Sequence, residues 1–102
     1  MRLNQVTVTV DDVDSAVAFY SKLGLTLIVK SSDYARFVCP GGDSTFSIHL
    51  GGTPVSTSTV VYFEHDALDL QVDRLKASGV QFDEDPSDRR WLWREARLRD
   101  PS

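Results

Sequence analysis

The sequence predicts an α+β protein built from two similar βαβββ modules, the second of them incomplete. Three observations lead to this prediction: the chain repeats its pattern at an offset of 55 positions, each copy opens with alternating apolar residues, and each continues with a helical stripe that ends at a glycine. Alternation with a period of two indicates a half-buried strand, and apolar residues at i, i+3, i+4 and i+7 indicate an amphipathic helix. A repeat of this length is one supersecondary unit that cannot bury its apolar face alone.

At the matched positions the two copies share the chemical type of the residue more often than the identical residue. The matched positions are Val6 and Val61, Val8 and Phe63, Val13 and Leu68, Asp14 and Asp69, Val17 and Val72, Tyr20 and Leu75, Gly24 and Gly79, Leu25 and Val80, and Leu27 and Phe82. We therefore expect a single domain over residues 1–102. Module one takes residues 1–50, a linker rich in Gly, Ser, Thr and Pro takes 51–58, and module two takes 59–102.

Module one begins with a strand over 3–10, in which the valines face one way and Gln5, Thr7 and Thr9 the other. Asp11 and Asp12 are candidate N-caps of a helix from about Val13 to Leu23, and Gly24 suits its left-handed C-terminal position. Strands follow over 25–30, 34–39 and 45–50, with a turn at 40–43 before the last. In that last strand the apolar residues share one face, and Ser47 and His49 share the other.

Module two repeats this order with shorter elements. The sequence predicts a strand at Thr59–His65, a helix at about Ala67–Ser78 capped by Asp66, a short strand at Gln81–Asp83 and a polar loop at Asp85–Arg90. Alternation then predicts a strand at Trp93–Arg99, and Asp100-Pro101-Ser102 opens a turn. We expect the return strand of that hairpin, the last strand of the module, to follow residue 102.

Composition narrows the classes of function. The formal net charge of −4 argues against nucleic-acid binding, which needs a basic stripe. Cys39 is the only cysteine in the sequence, so an intrachain disulfide cannot form, and a reducing compartment is expected. No apolar run approaches the about 20 residues that a membrane span requires. We expect a cytoplasmic protein that engages neither membranes nor nucleic acids.

Three stretches resemble the glyoxalase, bleomycin-resistance and extradiol-dioxygenase superfamily, which has the vicinal oxygen chelate fold. They are Leu3–Val8 running into Asp12–Tyr20 and Leu23-Gly24-Leu25, then Leu68–Asp69 through Leu75–Val80, then Trp93–Pro101. The resemblance covers essentially the whole chain. It implies that the strands of the two βαβββ modules form a half-barrel mixed sheet around a cavity, with the helices outside.

The resemblance also implies where a divalent metal would bind. Its ligand positions on the first and last strands of module one fall on Gln5 and near His49, and the first-strand position of module two falls on Val60. Amide oxygen and imidazole can ligate a divalent cation, but valine has no donor atom. The fourth position lies on the strand expected after residue 102. We therefore expect no metal or other cofactor, with a divalent metal as the alternative.

Other candidate site residues lie on positions predicted to face the cavity. Glu64 and Glu95 are candidate general bases, although Arg97 on the same strand face would pair with Glu95. His65, just before a helix, is interpreted as a cap or packing residue rather than a ligand. The candidate ligand-binding residues are Tyr62, Trp91, Trp93, Tyr34, Phe37 and Thr7. Aromatic walls with few polar groups suit a flat organic ligand.

These observations lead to one expected function and two alternatives. We expect a small-molecule binding protein that sequesters an aromatic ligand without a metal, acting as a homodimer. The first alternative is a metal-dependent lyase or isomerase resembling glyoxalase. The second is an accessory module that a partner chain completes. Whether the protein is an enzyme stays open at this point.

Overall fold

The computed structural model describes residues 1–52, 59–90 and 93–102 and confirms the α+β class. Its elements, in chain order, are β1 (Gln5–Val10), α1 (Val13–Lys22), β2 (Thr26–Lys30), β3 (Tyr34–Val38), β4 (Thr45–Leu50), α2 (Leu68–Ala77), β5 (Glu84–Asp88) and β6 (Arg94–Arg97). The predicted linker at 51–58 lies almost entirely outside the described residues. In the described residues no helix is long and apolar enough to cross a membrane.

The chain divides into two compact units. Unit one comprises Met1–Thr57 together with Asp100–Ser102, and unit two comprises Ser58–Arg99. Unit one therefore contains the whole of the first module and also the last three residues of the chain. Within those three residues the Ser102 backbone N–H donates to Asp100 Oδ1 at 3.0 Å, a local Asx-type hydrogen bond.

Unit one contains a four-stranded mixed sheet in the order β1-β4-β3-β2. β1 pairs with β4 in parallel, with Gln5 opposite Thr45 and Thr9 opposite His49. β3 pairs antiparallel with both β4 and β2. The first and last strands of the module thus lie side by side, so side chains distant in sequence become neighbours across one sheet face.

Helix α1 covers the apolar face of this sheet. Its buried residues are Val13, Ala16 and Tyr20. The Tyr20 ring lies 4.6 Å from the Phe46 ring and 6.0 Å from the Phe37 ring, measured between centroids. Each fully buried aromatic or aliphatic side chain of this kind contributes about 1.5–3 kcal/mol through removal of apolar surface from water. This packing makes one face of the sheet a core and leaves the other for polar side chains.

The 55-residue repeat is confirmed in the helices and in their termini. α2 begins and ends 55 residues after α1. Gly24 and Gly79 have φ of 107° and 98°, a region that strongly favours glycine. The N–H groups of Leu25 and Val80 donate to the carbonyls five residues earlier, at 3.2 and 3.0 Å. Both helices therefore end in a Schellman motif, in which a positive-φ residue satisfies the last carbonyls.

The two helix N-termini differ. Asp12 caps α1 as predicted, and its carboxylate accepts from the Ser15 backbone N–H at 3.1 Å. The predicted Asp66 cap of α2 is wrong, because Ala67 occupies the N-cap position and no side chain there accepts a capping hydrogen bond. His65 Nδ1 instead accepts from the Ala67 N–H at 3.0 Å, which gives this histidine the local role expected for it.

The strand predictions for module two were partly wrong. Residues 59–65 form no strand, because alternation orders side chains without supplying a neighbouring strand, and the sheet of unit two pairs β5 with β6 alone in the described residues. The second strand occupies Glu84–Asp88 rather than Gln81–Asp83, so most of the predicted polar loop is β5. Pro86 is accommodated because the ladder has an irregularity between Glu84 and Ser87. The third strand, β6, is shorter than predicted.

Candidate functional site

The sheet of unit one has a polar face opposite the face that α1 covers. Because successive side chains of a strand point to opposite faces, residues paired across the strands form rows on one face. The middle row contains Arg36, Ser47 and Thr7, which are paired in register across β3, β4 and β1. We define the polar face by Gln5, Thr7, Thr9, Tyr34, Arg36, Thr45, Ser47 and His49.

A chain of hydrogen bonds crosses this face from Arg36 to Gln5. Arg36 donates from Nε and from Nη2 to Thr45 Oγ1, both at 3.3 Å. The Thr45 hydroxyl then donates to Gln5 Oε1 at 2.8 Å. The guanidinium thus uses one of its edges to orient the threonine, and the threonine fixes the orientation of the glutamine amide.

The chain of hydrogen bonds continues from the Gln5 side chain to the Thr7 side chain. Gln5 Nε2 donates to Ser47 Oγ at 3.1 Å and, at the longer distance of 3.5 Å, to the Tyr34 hydroxyl. Ser47 is fully buried, and its Oγ lies 2.5 Å from Thr7 Oγ1. A buried hydroxyl must find hydrogen-bond partners, and Ser47 has one on each side. The polar face is therefore a connected network rather than a set of separate side chains.

Two of the predicted ligand-binding residues lie on this polar face. Thr7 is exposed, and Tyr34 is half-buried at the first position of β3. His49, exposed on β4, pairs in register with both Thr9 and Tyr34. The structure thus brings Thr7 and Tyr34 to one surface, together with the two residues that were considered as metal ligands.

Phe37 was wrongly predicted as a ligand-binding residue. It lies at the opposite parity from Tyr34 on β3 and therefore on the opposite face. Its side chain is fully buried and packs between Tyr20 and Phe46 under α1. A side chain with no exposed surface contributes to the core and has none to offer a ligand.

Unit two contains an exposed aromatic pair. The rings of Tyr62 and Trp93 lie 5.9 Å apart at an interplanar angle of 46°. Tyr62 is 64% exposed and Trp93 is 52% exposed, although aromatic rings of this size usually bury most of their surface. The third candidate of this group, Trp91, lies outside the described residues.

The two candidate general bases differ in their surroundings. Glu95 Oε1 lies 2.9 Å from Arg89 Nε and 3.3 Å from Arg97 Nη2, so the predicted pairing with Arg97 is present and a second arginine joins it. Both arginines contact the same carboxylate oxygen, so that oxygen is engaged in ion pairs rather than open to a substrate. Glu64 lies on the exposed segment that precedes α2.

Gln5 and His49 do not fit a shared metal site. Gln5 pairs with Thr45, and His49 lies four residues farther along β4, which corresponds to about 13 Å between backbone positions. Gln5 Oε1, the ligand atom of this amide, accepts from Thr45 in its own row. Among the residues that the structure describes, no three His, Cys, Asp or Glu side chains form a group that could hold an ion.

Two shallow depressions are lined by residues other than those of the polar face. One, of about 380 Å³, is lined by Arg2, Leu3, Asn4 and Asp43, and another, of about 450 Å³, surrounds the N-terminus of α2. The second contains the ion pair of Arg94 with Asp69 at 2.9 Å. Burial raises the pKa of the Cys39 thiol, which makes that residue a poor nucleophile at neutral pH.

Sequence reasoning missed three members of the network: Arg36, Thr45 and Ser47. The alternation that placed Tyr34 on a face also places Arg36 there, and this signal was available in the sequence. The pairing of β1 with β4, which brings Thr45 and Ser47 to Gln5, could not be obtained from alternation within one strand.

Comparisons with known proteins agree with this architecture. The model of the Glyoxalase/Bleomycin resistance protein/Dioxygenase superfamily matches residues 2–102. The fold is similar to that of a glyoxalase/bleomycin resistance protein/dioxygenase from Nocardioides, at 23% identity and a TM-score of 0.76, with 99% of this chain and 77% of that chain covered. It is also similar to a bleomycin resistance determinant encoded on transposon Tn5, at 19% identity and a TM-score of 0.80, with 99% and 90% covered.

A third similar structure is lactoylglutathione lyase from Agrobacterium tumefaciens, at 19% identity and a TM-score of 0.73, with 98% of this chain and 86% of that chain covered. None of the curated proteins compared with the chain matches it. At these identities the similar structures establish the fold and leave the reaction open. The match of the family model over nearly every residue shows that the chain belongs to the glyoxalase/bleomycin resistance protein/dioxygenase superfamily.

Proposed function

We propose that this protein binds a small aromatic molecule without a metal and acts by sequestering it rather than by converting it. The observation that carries the proposal is the engagement of Gln5, the first-strand ligand candidate. Its amide oxygen accepts from Thr45 and its amide nitrogen donates to Ser47, so both ends of the amide serve a hydrogen-bond network. An amide fixed in this way suits the recognition of an organic ligand through oriented polar groups.

The exposed aromatic pair of unit two is the reason for proposing an aromatic ligand. Tyr62 and Trp93 expose two rings whose centroids lie 5.9 Å apart, and planar molecules gain from stacking on such surfaces. We propose the ring pair as a surface on which a planar ligand stacks. The similarity to the Tn5 bleomycin resistance determinant agrees with binding as the function.

Titration calorimetry on EDTA-treated protein tests this proposal. The probes are metal-free bleomycin and two naphthalene derivatives, 2-naphthoate and 2-naphthamide. We expect saturable binding of at least one probe at a fixed stoichiometry, with unchanged affinity after metal is added. Replacing Trp93 with alanine should weaken binding, whereas Leu70→Ala, which removes another exposed apolar side chain from unit two, should not.

The same experiment separates binding from the metal-dependent alternative. If the probes fail to bind and the protein forms lactoylglutathione after addition of Ni²⁺ or Zn²⁺, the sequestration proposal is wrong and a lyase is supported. If a probe binds only after a second polypeptide is added, the accessory-module alternative is supported.

We also expect the protein to be a cytoplasmic homodimer. β2 is an edge strand of its sheet, and Leu27, Ile28 and Val29 on it are 37%, 51% and 46% exposed. Exposed apolar edge strands favour association, and closed twofold dimers are the commonest oligomers. Light scattering at micromolar concentration measures this, and a monomer would contradict the expectation.

A further inference from the structure

We infer that Arg36 binds a carboxylate group of the ligand, so that the polar face selects anionic aromatic molecules over neutral ones. This inference rests on the proposed binding function and adds the charge class of the ligand. Arg36 is half-buried, and no carboxylate among the described residues forms an ion pair with it. A partly buried charge is costly when it is left without an opposite charge.

The geometry of Arg36 leaves one edge of the guanidinium for a ligand. Thr45 accepts from Nε and Nη2, which occupies the side edge. A guanidinium carries five N–H donors, so the end edge formed by Nη1 and Nη2 keeps a parallel pair of donors. That pair matches the two oxygens of a carboxylate, and bidentate pairs of this kind are among the strongest hydrogen bonds in proteins.

The hydrogen-bond chain connects Arg36 to an exposed hydroxyl on the same face. Because Arg36 donates to Thr45, the Thr45 hydroxyl gives its proton to Gln5, and Gln5 in turn donates to Ser47. Ser47 Oγ and Thr7 Oγ1 lie 2.5 Å apart, and either of these two hydroxyls can be the donor. A ligand that contacts this face therefore meets guanidinium donors at the Arg36 end of the hydrogen-bond chain and the exposed Thr7 hydroxyl at the other end.

The charge of the polar face also favours an anionic ligand. Across β1, β3 and β4 this face contains one arginine and one histidine, but no aspartate or glutamate. The whole chain has a net charge of −4, so the local charge is opposite to that of the protein. An anion would therefore be repelled by the molecule in general and attracted at this face.

A matched pair of probes tests the inference. 2-Naphthoate and 2-naphthamide have the same ring system and similar shape, and only the first is charged at pH 7. We expect the protein to bind the carboxylate at least about tenfold more tightly than the amide at low ionic strength. This preference should fall as salt is added, because ions screen an exposed charge pair.

Arg36→Met should remove the preference and leave the affinity for the amide within about twofold. Arg36→Lys, which keeps the charge but loses the paired donors, should retain only part of the preference. Arg90→Met is the control, because it changes the net charge equally from an exposed position in unit two. It should bind both probes like the unmodified protein.

Two results would overturn the inference while the proposed binding function stands. One is equal affinity for the two probes in the unmodified protein, and the other is a carboxylate preference that persists in folded Arg36→Met. If the unmodified protein binds neither probe, the proposed function fails for this class of ligand and the inference fails with it. Far-UV circular dichroism tests whether each variant is folded. If Arg36→Met does not fold, the carboxylate preference of Arg36→Lys decides whether the inference holds.

Discussion

Replacing Tyr20 with phenylalanine tests how the last three residues of the chain are held on unit one. The Tyr20 hydroxyl donates to Asp100 Oδ2 at 2.7 Å, and Asp100 also accepts from the Ser102 backbone N–H. The Ser102 hydroxyl in turn lies 3.2 Å from Asp11 Oδ1. Phenylalanine keeps the ring contacts with Phe46 and removes only the donor, so the variant isolates one hydrogen bond.

The expected loss can be estimated from the chemistry of the two partners. Hydrogen bonds to charged groups contribute about 1.5–3 kcal/mol to the free energy of unfolding. Tyr20 is only 7% exposed, but Asp100 is half-buried and can turn to water when its donor is removed. We therefore expect Tyr20→Phe to lower the free energy of unfolding by about 1.5 kcal/mol, at the lower end of that range.

Urea denaturation followed by far-UV circular dichroism measures this loss. A double-mutant cycle with Asp100→Asn should give a coupling energy of about 1 kcal/mol between the two positions. Tyr62→Phe is the control, because it removes a hydroxyl from a tyrosine that is 64% exposed, and it should change stability by less than about 0.5 kcal/mol. A coupling energy within about 0.3 kcal/mol of zero would refute the reasoning.

The same bond gives a pH dependence with a defined sign. Burial, and then the hydrogen bond to Asp100, raise the pKa of Tyr20 above its ordinary value of 10.0. A raised pKa means that the folded state favours the neutral phenol. The stabilisation is therefore fully present below pH 10 and is lost as the pH rises above it. Tyr20→Phe should remove this part of the alkaline loss of stability.

Three further predictions concern the helix ends, the ion pairs and Glu95. Gly24→Ala and Gly79→Ala should each lower the free energy of unfolding, measured by urea denaturation, by about 1–2 kcal/mol. The added Cβ would meet no neighbouring atom, so the loss comes from the strain of a positive φ in alanine. A loss in only one of the two variants would contradict the shared cap geometry. Hydrogen bonds from arginines lower the pKa of Asp69 below 3.8 and the pKa of Glu84 below 4.5. Unit two should therefore lose stability as the pH falls below these values. A stability that does not change between pH 5 and pH 3 would contradict this expectation. Glu95→Gln should leave probe binding in calorimetry unchanged within about twofold, because the Glu95 carboxylate pairs with two arginines and stabilises the β5–β6 pair. A loss of about tenfold or more would give Glu95 a binding role.

Local sequence patterns were sufficient for the helices, their glycine ends and the faces of the strands in unit one. The stripe at Val13–Tyr20 and its copy at Leu68–Leu75 predicted both helices, and Gly24 and Gly79 marked their ends. These features depend on side-chain periodicity and on the φ of one residue, which neighbours in the chain determine. Alternation likewise placed Ser47 and His49 on one face of β4, as observed.

Only the tertiary structure decided which strands meet and which polar groups bond to each other. The resemblance implied Gln5 and His49 as positional metal ligands, but the sequence could not show the register of β1 against β4, in which Gln5 bonds with Thr45 and Ser47. It also assigned a strand at 59–65, where alternation was present but β5 and β6 pair with each other. Register across a sheet depends on contacts between residues far apart in sequence, and this long-range pairing is the information that a local pattern does not contain.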